Sequence, residues 1–555
     1  STDSPTNYKP SGSDATGGVT RGNYCTINRV DTETSMHTLT EGNLKVAGDT
    51  TAASGTNARW NGTFGASSGK WYYEVYIDSG DTNQNIGISY ENAIATTMGN
   101  LAGDYQYTAN GNKRNNNSST SWGNTWTTGD YIGVAYDLDA NKIWFSKNGT
   151  WQESGDPAAG SNECFALTAS KNYRPAGRFY NSTGSFNFGS YEFKYTAPSG
   201  FKCLCTQNLD NTFDSEDSEN DPSKYFDILT YTGTGTTSQD VLGLGFQPDL
   251  VWIKNRDIVA TNNLFDAVRG NTKRIFSDLN QAENTNANIF DFKATGIEVT
   301  ESVSSDTNDE GYNFVAWNWD AGTAAATAST DGSITPSAQW VNATAGFSIS
   351  KYTGTEAAAT LGHGLGAVPE FIIIKNTDAA LSWAVYHKDV GPEKAMALDT
   401  TAVPQDADSF WNDTSPTNTV FSLKNASRTN GPSDNMIAYA WTPIEGYSAF
   451  GTYEGNDNVD GPFIYTGFKP RFILMKNIDA TQNWGIFDIA RSPYNVTDDV
   501  LVPNSNGAES TNNANWETDL LSNGFKLRSH HQAVNEDTHI WAAFAEHPFK
   551  TARAV

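Results

Sequence analysis

The residues best suited to metal or redox chemistry in this chain are its seven histidines and four cysteines. Cys203 and Cys205 are two residues apart in a predicted strand, so they share one face, where the geometry for a mutual disulfide is poor. His530 and His531 are adjacent and point to opposite faces of a strand. No second Cys or His pair stands at metal-ligand spacing. We therefore predict free, partly buried thiols and no metal site.

The sequence also lacks the usual motifs of hydrolases and of phosphoryl-transfer enzymes. The sequence contains no Gly-x-Ser-x-Gly, no His-Glu-x-x-His and no phosphate-binding glycine loop. A pair of carboxylates that cleaves glycosides stays a possible interpretation of its acidic residues, because the distance between two carboxylates is set by the fold and not by the sequence. The acidic segment 214–221 offers oxygen ligands for Ca²⁺ but lacks the spacing and central glycine of an EF-hand loop. We interpret it as a solvated linker and predict no cofactor and no enzymatic activity.

Aromatic residues are the remaining candidates for ligand contact. Tyr105, Tyr107, Trp122 and Trp126 lie in an Asn/Gly/Ser-rich stretch between predicted strands. Loops of this kind often carry partner contacts, and an exposed ring can stack on a sugar. We therefore predict these four residues as candidate ligand-binding residues. Tryptophans inside strand runs are predicted to fill the core, namely Trp71, Trp144, Trp252, Trp317 and Trp441.

The charge balance disfavours one class of partner. The chain has 36 basic and 63 acidic side chains, which gives a net charge of −27. No basic stripe is available to neutralise phosphates, so no nucleic-acid binding is predicted. No apolar run approaches the ~20 residues that span a bilayer, so no membrane insertion is predicted.

The elements that must position these residues are strands, since Thr, Tyr, Trp, Val and Ile recur in short runs between Gly, Asn and Asp. Two landmarks occur three times in the C-terminal part. A Tyr-Thr-Gly or Tyr-Glu-Gly tripeptide occurs at 231–233, 352–354 and 453–455. A segment that begins with Pro and ends with Lys-Asn occurs at 248–255, 369–376 and 470–477. Because the two landmarks keep one spacing, they indicate a repeated folding unit. The apolar run before each Lys is predicted to be a strand buried on both faces.

The repeats also align polar residues. One shared position is occupied by Asp266, His387 and Asp488. An acid–base role would need one chemical type there, so the change between Asp and His argues against catalysis. A second shared position is occupied by Arg269, Val390 and Arg491. We interpret the two arginines as members of inter-strand ion pairs.

Four strand motifs in the N-terminal part occur in a characteristic order: Ser68–Val75, Ile86–Ile88, Gly129–Asp137 and Ile143–Gly149. Together they resemble a SPRY domain, and the resemblance covers roughly residues 23–205. It implies a bent two-sheet sandwich of the concanavalin-A-like group. We therefore predict an all-β chain, in which this sandwich is followed by three tandem β-sandwich-like repeats of ~100 residues each. The predicted segments are an arm at 1–22, the sandwich at 23–205, an acidic linker at 206–224, repeat 1 at 225–322, an Ala/Thr/Ser-rich linker at 323–345, repeat 2 at 346–445 and repeat 3 at 446–555.

The complete layout, which ends in Ala543–Lys550, resembles the tail-fibre or appendage proteins of marine bacteriophages, including cyanophages. The resemblance implies an extracellular structural protein of the virion that contacts the host cell surface. Its implied partners are other virion proteins and a host glycan or outer-membrane protein, and its implied state is a homotrimer or higher symmetric assembly. Three alternatives stay open: a capsid-decorating or capsid-fibre protein, a bacterial cell-surface adhesin, and a polysaccharide depolymerase.

Overall fold

The computed structural model describes residues 24–33, 36–49, 59–80, 82, 84–91, 97–209, 221–285, 289–300, 307–322 and 328–548. Within these ranges the chain is almost entirely β, which confirms the predicted fold class. It has 41 strands and three four-residue α-helices, α1 (Asp408–Trp411), α2 (Ser427–Asn430) and α3 (Gln532–Asn535). The predicted arm and residues 210–220 of the acidic linker lie outside the described residues.

The N-terminal sandwich consists of two facing sheets. Its strands are β1 (Ile27–Thr32), β2 (His37–Thr40), β3 (Lys45–Gly48), β4 (Trp60–Gly62), β5 (Lys70–Ser79), β6 (Asn85–Ser89), β7 (Asp104–Thr108), β8 (Asn112–Asn115), β9 (Ser118–Ser121), β10 (Tyr131–Asp137), β11 (Lys142–Lys147), β12 (Thr150–Trp151), β13 (Phe165–Ala166), β14 (Arg174–Arg178), β15 (Thr183–Asn187) and β16 (Lys202–Cys203). One sheet has the order β1-β4-β14-β6-β7-β8-β9. The other has the order β12-β11-β10-β5-β15-β3-β2, with β13 beside β11 and β16 beside β5.

Alternation along β5 shows how the sandwich forms. Trp71, Tyr73 and Val75 point between the sheets and join the main core. The alternate residues Tyr72 and Glu74 belong to the other face, as the period of a strand requires. Tyr72 packs there against Trp144 and Phe201, so this outer face is partly covered by the segment that ends the sandwich.

The repeat region contains the other 25 strands. Repeat 1 has β17 (Phe226–Thr232), β18 (Gln239–Leu242), β19 (Leu250–Asn255), β20 (Asn263–Asp266), β21 (Lys273–Phe276), β22 (Asn284–Thr285), β23 (Phe290–Lys293), β24 (Gly296–Val299) and β25 (Asn313–Trp319). Repeat 2 has β26 (Ala338–Asn342), β27 (Phe347–Thr353), β28 (Ala359–Gly362), β29 (Phe371–Asn376), β30 (Ala384–His387), β31 (Lys394–Ala395), β32 (Gln405–Asp406), β33 (Val420–Leu423) and β34 (Asn435–Trp441). Repeat 3 has β35 (Ser448–Glu454), β36 (Phe463–Tyr465), β37 (Phe468–Asn477), β38 (Trp484–Asp488), β39 (Thr518–Leu521), β40 (Gly524–Leu527) and β41 (Thr538–Pro548).

Each repeat is built on one plan. The strand that ends in Lys-Asn is central in the main sheet, which runs β17-β25-β19-β20, β27-β34-β29-β30 and β35-β41-β37-β38 in the three copies. A smaller sheet packs on the outer face: β18-β24-β23, β28-β33 and β36-β40-β39. All residues of β19 and β29 are buried, which confirms the prediction of a strand covered on both faces.

The repeated Lys-Asn pair folds the loop after the central strand. In repeat 2 the Asn376 side chain accepts hydrogen bonds from the backbone N–H groups of Asp378 and Ala379, at 3.0 and 2.9 Å. The buried Lys375 ammonium donates to the carbonyls of Asn376 and Leu381, at 2.7 and 2.9 Å. Burial lowers the pKa of Lys375 to about 8. The motif is thus structural, since each of its polar groups satisfies the backbone of a turn.

Each repeat is sandwich-like, because a separate hydrophobic cluster lies between its main sheet and its smaller sheet. The inner faces of their main sheets meet in one hydrophobic core, whose large members include Phe226, Trp319, Phe371, Trp441, Phe472 and Phe544. An enclosed apolar cavity of about 20 Å³ lies among these rings. The prediction of three tandem sandwich-like repeats is confirmed, and the structure adds that the inner apolar face of each repeat is covered by the other two.

The linker predicted at 323–345 is corrected in part. Its last residues form β26, which pairs antiparallel with β27 and so extends the main sheet of repeat 2. Gln339 in this strand is buried and donates to the Ser350 hydroxyl at 2.8 Å and to the Gly362 carbonyl at 2.8 Å. Residues 338–342 therefore belong to repeat 2, and residues 323–327 lie outside the described part.

The N-terminal sandwich docks on the outer sheet of repeat 3. The Tyr465 hydroxyl donates to the Gly65 carbonyl at 3.0 Å, and the Asn523 amide donates to the Thr63 carbonyl at 2.9 Å. The buried Lys526 ammonium donates to the Val30 carbonyl at 2.9 Å. These polar contacts surround a small cluster in which Val30 packs against the aromatic side of repeat 3.

The cysteines do not cross-link the described part of the fold, and its helices are short. All four cysteines lie in the described part of the chain, where they are buried and form no disulfide. No helix among the described residues is long and apolar enough to cross a membrane.

Candidate functional site

The position shared by Asp266, His387 and Asp488 lies where adjacent repeats meet. Asp266 of repeat 1 accepts a hydrogen bond from the Tyr439 hydroxyl of repeat 2, at 2.6 Å. Asp488 of repeat 3 accepts one from the Trp317 indole N–H of repeat 1, at 2.9 Å. Both carboxylates are fully buried. They therefore join the repeats to one another and have no access to a substrate.

The third interface explains why repeat 2 has histidine at this position. There Ala542 takes the place of Trp317 and Tyr439 in the aligned strands, so no side chain can donate to a carboxylate. His387 instead contacts the Trp541 backbone carbonyl through Nε2, at 3.3 Å. Burial lowers the pKa of His387 to about 4, so the ring is neutral at pH 7 and can donate one N–H to the carbonyl. A donor is needed where the other two interfaces need an acceptor.

A second set of contacts also joins all three pairs of adjacent repeats. A residue at the start of each β20-type strand donates to a backbone carbonyl of the preceding repeat. Trp383 donates to Phe276 at 2.8 Å and Trp484 donates to Ala397 at 3.0 Å. Asn262 of repeat 1 completes the set by donating to the Ser505 carbonyl of repeat 3, at 2.9 Å. Two independent sets of contacts therefore give the region a pseudo-threefold arrangement.

The arginine prediction is corrected in one respect. Arg269 pairs with Asp266 at 2.5 Å and Arg491 pairs with Asp488 at 2.6 Å, three residues earlier in each case. Each of these pairs is local, within the turn that follows a strand. Each arginine also pairs with a glutamate further along the chain, Arg269 with Glu283 at 3.3 Å and Arg491 with Glu509 at 2.7 Å. Val390, at the same position of repeat 2, packs against the shared core. The arginines fix the orientation of the carboxylates that join the repeats.

The predicted ligand-contact aromatics lie mostly in the sandwich core. Tyr107 is 0% exposed and Trp126 is 2% exposed, and Tyr105 is buried with them. Their rings have no free face for a sugar, so the prediction is wrong for these three residues. Trp122 is half-buried and meets the Tyr107 ring edge-on at 5.3 Å between centroids. A ligand contact by Trp122 stays a prediction.

No group of three metal-ligating side chains is found among the described residues. His531 uses Nδ1 to accept a hydrogen bond from the Ala533 N–H at 3.1 Å, at the start of α3. His530 is largely exposed, with its nearest carboxylate, Asp457, at 3.9 Å. The two adjacent rings thus have separate surroundings. The acidic segment 214–221, where Ca²⁺ was considered, lies outside the described residues except for Asp221.

The structure reveals an accessible groove that the sequence did not indicate. It has a volume of about 650 Å³ and lies on the outer face of the second sheet of the sandwich, between the turn after β2 and the segment after β15. Tyr76 and Tyr131 form its floor, where they are paired across β5 and β10 with ring centroids 4.8 Å apart. Tyr191, 66% exposed, stands at its edge. We call this the tyrosine groove.

Polar groups surround the tyrosines of this groove. Lys45 pairs with Asp78 at 2.9 Å, and the Ser185 hydroxyl donates to the same carboxylate at 2.6 Å. Glu74 accepts hydrogen bonds from the backbone N–H groups of Lys194 and Tyr195, at 2.7 and 2.9 Å. Although these hydrogen bonds favour the carboxylate, burial dominates and raises its pKa. Glu74 therefore positions the wall of the groove, while the half-buried rings of Tyr76 and Tyr131, the exposed ring of Tyr191 and the Lys45 ammonium line the space that a ligand would occupy.

A groove of this kind suits a ligand with both apolar faces and hydroxyl groups. Aromatic rings supply flat contact area, and a few fixed polar groups supply orientation. The alternation of β5 is the one signal that could have placed Tyr76 outside the core, because Tyr73 and Val75 point inward. The opposing Tyr131 required the register between β5 and β10, which only the fold supplies.

Comparison with known families decides what the repeat region is. A family model described as a domain of unknown function (DUF7483) matches residues 221–548, more than half of the chain. The chain belongs to the DUF7483 family. A second family model, the SPRY domain, matches residues 70–191. The N-terminal sandwich is therefore a SPRY domain, as its motifs predicted, and the DUF7483 region is the pseudo-threefold body.

Two SPRY domains are among the solved structures that are similar to the chain. The SPRY domain of human HERC1 is 16% identical, with 29% of this chain and 96% of that chain covered and a TM-score of 0.23. A human SPRY domain is 17% identical, with 28% and 98% covered and a TM-score of 0.22. Stonustoxin is 18% identical, with 30% and 27% covered and a TM-score of 0.23.

A second cleft lies between the SPRY domain and the DUF7483 region. Its volume is about 620 Å³, and strand β35 of repeat 3 forms one of its walls. Its lining also includes Tyr90 and Lys171 of the SPRY domain and Glu370 and Lys388 of repeat 2. Burial raises the pKa of Glu370 to about 7. We call this the interdomain cleft.

Proposed function

We propose that this chain is a structural protein of a bacteriophage virion, a tail fibre or appendage that contacts the host cell surface without enzymatic activity. The observation that carries the proposal is the tyrosine groove, an accessible aromatic site on the SPRY domain. The polar residues that the repeats share are buried in contacts between repeats, which suits a scaffold. The sequence layout favours a virion as its setting. Its partners are other virion proteins and a host-surface glycan or outer-membrane protein.

Multivalency explains how weak single contacts could attach a particle firmly to a cell. A single tyrosine groove would bind a sugar weakly, since stacking on one ring contributes about 1 kcal/mol. Several copies on one particle would convert weak contacts into strong attachment. A homotrimer or higher symmetric assembly of the chain would supply such copies.

Capsid decoration is the second candidate. The DUF7483 region is a compact pseudo-threefold body within one chain, and such a body matches a threefold position on a shell. Mass spectrometry and cryo-electron microscopy of intact virions would distinguish tail from capsid attachment. Absence of the chain from purified particles would contradict both virion roles and favour the cell-surface adhesin.

The glycan-contact role is tested on the full chain with a glycan array and a host-cell binding assay. The double variant Tyr76→Ala/Tyr131→Ala should lower binding at least about tenfold, because it removes the stacking floor. Tyr494→Ala is the matched control, since Tyr494 is 80% exposed and lies outside the groove. Equal binding by the double variant and the control would contradict the role of the groove. Release of reducing ends from host polysaccharide would instead indicate the depolymerase.

A further inference from the structure

The edge of the main sheet differs between repeats 2 and 3. In repeat 2 the strand β27 is covered by β26, which comes from the segment between repeats. The equivalent strand of repeat 3 is β35, and it is the last strand of its sheet. No segment between repeats 2 and 3 takes the place of β26, because β34 ends at Trp441 and β35 begins at Ser448. The side of β35 that β26 would cover instead faces the interdomain cleft.

The hydrogen-bonding groups on that side of β35 can be assigned from its ladder with β41. Tyr447 accepts a hydrogen bond from the Ala545 N–H at 2.8 Å, and Gly455 donates to the Asp537 carbonyl at 2.8 Å. Because backbone groups alternate in direction along an antiparallel strand, the odd-numbered residues bond to β41. The N–H and C=O groups of Phe450, Thr452 and Glu454 therefore point into the interdomain cleft.

These outward groups form a template for another strand. Ser448 at the start of β35 already bonds to the Ile444 backbone in both directions, at 2.9 and 3.1 Å. In the described part of the chain no such partner is found for the outward groups of Phe450, Thr452 and Glu454. Unpaired edge strands are normally blocked or covered, since they otherwise pair with a foreign chain.

We propose that β35 is a strand-addition site, which receives an extended segment of a partner polypeptide in the interdomain cleft. The interaction would repeat within the cleft what β26 does on β27. An added strand gains its affinity from backbone hydrogen bonds and its specificity from alternate side chains. With a rise of about 3.3 Å per residue, a segment of about five residues would match the open part of β35.

The charge of the cleft indicates which segments fit. Its acidic members are Glu91, Glu370, Asp389, Glu445 and Glu454, and its basic members are Lys171, Arg174 and Lys388. The formal balance is three minus five, or −2. Arg174 pairs with Asp31, outside the lining, at 2.5 Å, and Lys388 pairs with Asp389 of the lining at 2.9 Å, so neither pair removes the excess of acidic groups. A basic extended segment is therefore favoured over an acidic one.

The test uses a synthetic peptide that copies residues 337–343, the chain's own edge-covering segment, with one lysine added at each end. Binding of the labelled peptide to the full chain is followed by fluorescence anisotropy, and amide protection by hydrogen exchange. We expect the amides of Phe450, Thr452 and Glu454 to become protected. A peptide N-methylated at alternate residues on its pairing edge should bind at least about tenfold more weakly, because it cannot complete the ladder.

The decisive variant is Thr452→Pro, which removes one outward donor at a position where an edge strand tolerates proline. We expect at least a tenfold loss of peptide affinity. Thr230→Pro is the matched control, because Thr230 is exposed and holds the equivalent place on β17, the edge strand of repeat 1. Its affinity should stay within about twofold of the unmodified chain.

Three results would overturn the proposal: equal binding by Thr452→Pro and the unmodified chain, equal binding by the N-methylated peptide, or no peptide binding at about 1 mM. The N-methylated peptide is tested on the unmodified chain. The proposal therefore stays falsifiable even if Thr452→Pro fails to fold.

Discussion

At the scale of single residues, the polar groups of the repeats act as joints. Asp266 and Asp488 accept side-chain hydrogen bonds from neighbouring repeats, whereas His387 meets a backbone carbonyl. Each residue therefore has the hydrogen-bonding character that its own interface requires. The change between Asp and His at this position argued against catalysis in the sequence. The structure explains the change, because each buried donor must meet an acceptor and each buried acceptor a donor.

We predict that His387→Asp destabilises the chain by about 3 kcal/mol or more, because it places a buried carboxylate against the Trp541 carbonyl. His387→Asn should cost only about 1 kcal/mol, since the amide can still donate. Denaturant unfolding of the two variants and the unmodified chain measures the difference. Equal destabilisation by both variants would show that the donor is unimportant.

The unmodified chain and His387→Asn also test how the stability depends on pH. The pKa of His387 is lowered from 6.5 to about 4 in the folded chain, so the unfolded state binds the proton more readily between these values. Its contribution to stability is therefore present above pH 6.5 and is lost as the pH falls towards 4. His387→Asn should lose less stability over this interval than the unmodified chain. An identical loss in both would assign the acid sensitivity to other groups.

At the scale of elements, the recurring Tyr-x-Gly tripeptide lies at the end of β17, β27 and β35. Its tyrosine joins each of these strands to the loop that precedes the neighbouring strand of the same sheet. Tyr352 donates its hydroxyl to the Thr429 carbonyl at 2.5 Å, and Tyr453 donates to the Val534 carbonyl at 2.7 Å. A buried asparagine then secures the loop: Asn430 accepts from the Thr355 N–H at 2.7 Å. The equivalent residues Asn308 and Asn535 do the same in the other repeats.

We predict that Gly354→Ala lowers the unfolding free energy by about 2 kcal/mol or more, because the new Cβ would lie 2.1 Å from the Gly431 carbonyl oxygen. The backbone near Gly354 or Gly431 must shift to accommodate the new Cβ. Gly507→Ala is the control, since its nearest neighbour would be the Ser505 hydroxyl at 3.4 Å. Thermal unfolding of both variants provides the measurement. An unchanged midpoint for Gly354→Ala would show that the loop yields easily.

At the scale of the whole molecule, the three sequence repeats of the DUF7483 region surround one shared core. Its apolar rings converge from all three copies on one axis. No copy can cover its inner face alone, because that face is the surface of the shared core. The SPRY domain has its own core and joins this body through contacts with repeat 3. The chain is thus a compact two-part structure.

We predict that Trp319→Ala, a change within repeat 1, destabilises all three repeats together by about 3–5 kcal/mol. Hydrogen exchange should report one common loss of protection in β19, β29 and β37, since these central strands flank the same core. The protection of the SPRY strand β5 is the internal control and should change less. A loss confined to repeat 1 would show that the repeats are independent.

The sequence by itself determined the local level of this protein. Strand composition, two landmarks with one spacing and four ordered motifs were sufficient to predict an all-β chain, the SPRY domain and the buried central strands. The core tryptophans, such as Trp252 and Trp317, followed from their places in strand runs. These features are local because alternation and turn residues are set by neighbours along the chain.

Only the tertiary structure decided what covers each apolar face. The repeated landmarks are 121 and 101 residues apart, and these spacings do not distinguish three repeats in a row from three repeats around an axis. The burial of Tyr107 and Trp126, the tyrosine groove and the open edge of β35 likewise depend on strands distant in sequence. Alternation shows which side chains share a face, but the partner of that face is fixed by packing over long range.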